Sequence, residues 1–76
     1  MTDKKLLKKK IDEKGLKLGF IVEQLGTSYG WFNKKLNNEK DFTAREMQIL
    51  CDILGITDLA EKDRIFFAKN VEKSST

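Results

Sequence analysis

Apolar residues recur along this chain at spacings of three and four, in short runs that each end at a glycine or a polar turn. Leu6, Leu7 and Ile11 make the first stripe, with lysines on the other faces, the pattern of a helix with one buried side. That helix opens after Thr2 or Asp3, either of which can cap it. It closes before Gly15, which suits a left-handed position just past a helix end. Leu18 to Leu25 forms a second, short helix with Ile21 and Leu25 one turn apart, Phe20 and Val22 flanking the same face, and Gly26 as its stop. Ser28 is a good N-cap for a third helix running from 28 to about 37, anchored by Phe32 and Leu36.

The run Asn37 to Phe42 is a turn signal. Thr43 and Glu46 then have the spacing of a capping box, opening a fourth helix whose stripe is Met47, Leu50, Cys51 and Leu54 and whose end is Gly55. Asp58 with Glu61 can cap a fifth helix that contains Leu59 and ends around Ile65 to Phe67. The pattern therefore predicts an all-α bundle of about five short helices. One alternative stays open: Arg64 to Glu72 is rich in aromatic and β-branched residues and is the one place for a strand. Residues 1–69 are read as one domain and 70–76 as a polar tail.

Composition narrows the class. The 76 residues are 39% hydrophobic and 36% charged, too apolar for a disordered chain and too polar for a membrane protein. The lysine-rich start lacks the apolar run of a signal peptide, so a cytosolic location is expected. The single Cys51 and the absence of histidine argue against an internal disulfide and the common zinc sites. No paired acids in a pocket motif and no phosphate-cradling glycine loop are present, so neither an enzyme, a small-molecule substrate nor a cofactor is expected.

Charge adds direction. Residues 1–20 carry seven lysines against three acids, whereas residues 41–60 carry Arg45 against Asp41, Glu46, Asp52 and Asp58. This asymmetry suits a polyanion on one face and a protein contact on another. Lys8, Lys9 and Lys10 either touch phosphates or form a solvated helix face.

The second and third helices are separated by only Gly26 and Thr27, a link too short for an antiparallel return. It makes them a helix-turn-helix, whose second helix can enter the major groove of DNA. With Phe32 and Leu36 inward, an advance of about 100° per residue turns Lys34 directly outward and Gly30 nearly so. Trp31, Asn33 and Asn37 fall on the flanks, and Tyr29 at the exposed start. Asn33 and Lys34 are base-edge candidates, Trp31 offers an apolar surface for thymine methyls, and Ser28, Tyr29, Lys17 and Lys35 are phosphate candidates. Gly30 lets the backbone approach the groove closely.

Each residue also has a plainer reading. Trp31 either packs on the fourth helix or a neighbouring loop, contacts DNA, or anchors a protein interface. Cys51 reads as a packed core thiol. Of Phe66 and Phe67, one is assigned to the core and one to a dimer contact.

Gly15 to Ile56 resembles the Cro and phage-repressor type of helix-turn-helix domain in the Xre superfamily. The resemblance rests on Gly15 and Leu16, Ile21 and Val22, the run Glu23 to Gly26, Ser28, Phe32, the run Lys35 to Asn38, and Leu50 to Ile56. Leu18 stands where that family often has glutamine, and Val22 where it often has alanine. The resemblance implies a sequence-specific regulator of a phage genetic switch, binding double-stranded operator DNA as a homodimer on paired half-sites. A monomer in solution is left open, because no large apolar face remains once the core is assigned. Some similar short phage proteins instead bind a partner repressor, and for this chain Trp31, Phe66 and Phe67 are the candidate surface for that alternative.

Overall fold

The computed structural model describes residues 1–69. It contains α1 (Lys4–Glu13), α2 (Leu18–Leu25), α3 (Tyr29–Leu36), α4 (Ala44–Leu54) and α5 (Leu59–Phe66). Among the described residues there is no strand: Arg64 to Phe66 complete α5, and the part of the strand alternative from residue 70 onward, like the tail at 70–76, lies outside them.

Local cap chemistry sets where these helices begin and end. Asp3 caps α1, its carboxylate accepting from the Leu6 N–H at 3.1 Å. Thr43 and Glu46 form the expected box at α4: the Thr43 hydroxyl accepts from the Glu46 N–H at 3.1 Å, and the Glu46 carboxylate accepts from the Thr43 N–H at 2.9 Å. Gly26 and Gly55 end α2 and α4 with φ of 69°, a left-handed conformation that costs a side-chain-bearing residue about 1–2 kcal/mol. Asp58 caps α5 as expected, accepting from the Ala60 N–H. Glu61 does not join that cap; its carboxylate pairs with Lys10 at 3.0 Å and ties α5 to α1.

One core joins all five helices: Leu7 and Ile11 from α1, Ile21, Val22 and Leu25 from α2, Phe32 and Leu36 from α3, Leu50, Cys51 and Leu54 from α4, Ile65 and Phe66 from α5. Leu6 and Met47, placed on buried stripes by their spacing, are only half-buried and pack on its edge. Phe20 corrects the sequence reading. It points away from the core and is 42% exposed, because residue 20 stands about 160° from Val22 at 100° per residue.

Phe42, which the sequence placed only in a turn, is buried and central to the aromatic packing. Its ring meets Phe32 at 6.0 Å and Phe66 at 5.8 Å between centroids, both edge-on. Such pairs contribute about 0.5–1.5 kcal/mol beyond the burial itself.

The first three residues run between the end of α5 and the turn after α3. The Asp3 N–H donates to the Ile65 carbonyl at 2.7 Å and the Ala68 N–H to the Met1 carbonyl at 2.9 Å. On the other side, the Thr2 N–H donates to Asn38 Oδ1 at 2.7 Å and Asn38 Nδ2 to the Thr2 carbonyl at 3.0 Å. Asn38 itself has φ of 64°, a left-handed turn position that asparagine tolerates better than most residues. This turn fixes where the chain leaves α3, and so what lies beside that helix.

Candidate nucleic-acid interface

Helix α3 is held at its back and open at its front. Phe32, 1% exposed, and Leu36 are locked in the core, while Ser28, Tyr29, Gly30, Trp31, Asn33 and Lys34 are all exposed. The front is thus the face that the spacing of Phe32 and Leu36 predicts. Ser28 spends one lone pair on its own helix, its Oγ accepting from the Trp31 N–H at 3.3 Å. Lys17 is exposed at the start of α2, where it supplies no side-chain cap.

Two glycines shape this surface. At Gly19 an added Cβ would stand 3.2 Å from the Tyr29 hydroxyl, so the tyrosine at the start of α3 lies over the first turn of α2. At Gly30 an added Cβ would meet nothing nearer than Ser28 Oγ at 3.9 Å. The fold therefore has room for alanine at position 30 and does not require glycine there.

Trp31 stands outside the buried core, with Lys40 of the neighbouring loop over its ring. It is 46% exposed, and two ammonium groups sit near its ring: Lys34 Nζ at 5.2 Å and Lys40 Nζ at 5.5 Å from the centroid. A cation at that range gains about 0.5–1 kcal/mol at an exposed ring. Lys40 arrives there because the loop folds back on α3, with the Glu39 and Lys40 N–H groups both donating to the Lys34 carbonyl, at 2.8 and 3.3 Å.

Three expected site residues are engaged elsewhere. Lys35 is not a free phosphate contact. Its ammonium donates to both Glu46 carboxylate oxygens at 2.6 Å, with 14% of the lysine side chain and 8% of the glutamate side chain exposed. Burial pushes the Glu46 carboxyl up, but the Lys35 ammonium and the Thr43 N–H outweigh it and hold the group below its ordinary value. Asn37 remains on the surface, yet its Oδ1 accepts from Lys4 Nζ at 2.7 Å. Phe66 is buried against Phe42 and offers no docking surface, whereas Phe67 is 53% exposed.

Lys40 and Lys4 are the residues the sequence reading did not place near α3. Lys40 depends on the left-handed turn at Asn38, and Lys4 on the seating of the first residues beside that turn; neither leaves a periodic signal. Cys51 is buried as expected, and burial raises its thiol pKa. Among the described residues no helix is long and apolar enough to cross a membrane. Comparison of the chain with family models, curated proteins and solved structures finds no match.

Proposed function

We propose that this protein is a sequence-specific, duplex-DNA-binding regulator of transcription, of the Cro-like helix-turn-helix type, working in the bacterial cytoplasm. The observation that carries the reading is the front of α3: six exposed residues from Ser28 to Lys34, on a helix fixed from behind by Phe32 and Leu36. In the major groove Asn33 and Lys34 would meet base edges, and the Gly30 backbone would approach closely. Lys17, Ser28, Tyr29 and Lys40 would lie along the phosphates, which position the helix without reading sequence. Two copies on a palindromic operator would set two such helices about 34 Å apart.

The test is a gel-shift titration with duplex fragments flanking the protein's own gene, against random competitor, at two salt concentrations. The reading expects a discrete complex that survives competitor and weakens with salt. A complex that random DNA removes, or none at all, would count against it.

A second reading draws on the exposure of Trp31 and Phe67: the domain docks on a partner repressor, since aromatic rings are typical interface anchors. Trp31→Ala separates the two readings. Loss of repressor binding with operator binding intact would favour the second.

A further inference from the structure

Within a duplex the flat faces of the bases are covered by their neighbours, so a protein in the groove meets only base edges and thymine methyls. Trp31 offers more than such contacts use. With the Lys34 and Lys40 ammonium groups over its ring, Trp31 is still 46% exposed. Neither lysine takes part in an ion pair among the described residues, where the pairs are Lys10 with Glu61 and Lys35 with Glu46. The loop bonds onto the Lys34 carbonyl hold the Lys40 backbone against α3, which keeps its side chain within reach of the ring.

An aromatic ring with two exposed, unpaired cations over it fits a ligand that is planar in its middle and anionic at each end. The planar part takes the ring face as the ammonium groups swing out to the anionic ends. An unpaired nucleotide within a strand has that form, with a base that stacks and a phosphate on either side. We propose that Trp31, Lys34 and Lys40 bind single-stranded nucleic acid, one base lying on the indole and the flanking phosphates on the two ammonium groups. This activity goes beyond duplex recognition and does not depend on it. An acidic peptide would satisfy the lysines but leave the ring without a stacking partner, so the nucleotide accounts for more of the site.

Trp31 is the single tryptophan, and its fluorescence reports on the site directly. The wild-type protein is titrated with a short oligothymidylate, and bound oligonucleotide is then competed with polyphosphate and with polyglutamate. The proposal expects quenching on binding and much weaker competition from the two polyanions that lack bases. Binding of labelled oligothymidylate, followed by anisotropy, should weaken on the order of 5- to 150-fold in Trp31→Ala, and less in Trp31→Phe. Lys34→Ala and Lys40→Ala should each lower the salt slope by about 0.7. Circular dichroism checks that each variant is folded.

Absence of quenching, a Trp31→Ala variant that binds as tightly as wild type, or equal competition by polyglutamate would each overturn the proposal. Duplex operator binding is measured alongside. Duplex binding without oligothymidylate binding sinks this inference alone; the reverse sinks the operator reading and leaves this one standing.

Discussion

Replacing Gly30 with alanine sets stability against binding, and the structure gives the sign of each. Gly30 is the second residue of α3, and an added Cβ there has no neighbour closer than 3.9 Å. No strain opposes the change, so the variant gains the difference in helix preference between alanine and glycine, about 0.5–1 kcal/mol. For a domain of this size that gain raises Tm by roughly 2–8 °C, measurable by thermal circular dichroism. The same methyl projects from the front of α3. If that face is pressed into a groove, an extra methyl in a close-packed contact costs about 1–3 kcal/mol, or roughly 5- to 150-fold in operator affinity. The expected variant is more stable and binds less well. A lower Tm would refute the open space at position 30. Unchanged affinity in a stabilised variant would remove Gly30 from the contact surface.

Other perturbations follow from the same geometry. Lys35→Ala strands the Glu46 carboxylate and should cost about 1–3 kcal/mol in urea unfolding at neutral pH. Because the folded Glu46 carboxyl is held below its ordinary value of 4.5, its contribution is complete above that pH and is lost as pH falls further. The gap between variant and wild type should therefore narrow in acid, and a constant gap would contradict the pairing. Phe42→Ala removes the ring that joins Phe32 to Phe66 and should cost about 3–5 kcal/mol in urea unfolding; a loss below about 1 kcal/mol would mean the ring is not central to the core. Lys34→Ala should cost about 1–3 kcal/mol of operator affinity through a lost base contact. A uniform loss with the salt slope lower by about 1 would place the lysine on phosphate instead, and equality with wild type at every salt would exclude it from the site.

What was legible in the sequence was whatever local chemistry decides. Ser28, the Thr43 and Glu46 box, Gly26 and Gly55 each mark a helix end through a cap or a left-handed φ, and such requirements are written in one or two residues. The outward face of α3 followed from its two anchors, Phe32 and Leu36, because a helix bolted at one turn spacing leaves only one side free.

The misses share a different cause. Phe42 and Lys40 sit in or beside a turn without periodicity, and their destinations depend on the left-handed geometry of Asn38. Glu46 was read as a cap alone, yet it also holds Lys35 from the preceding helix, a contact across eleven residues that no local pattern announces. Phe20 departs from the expected face because closeness in sequence to Ile21 and Val22 does not put it on their side: two steps of about 100° carry it to the opposite side of the helix from Val22.

The central claim is that the front of α3 meets duplex DNA, and amide chemical-shift mapping of the labelled protein with an operator duplex tests it most directly. The account predicts the largest shifts at Ser28 to Lys34, with further shifts at Lys17 and Lys40. Shifts confined to the surface around Met1, Phe42 and Phe67, with α3 silent, would contradict it.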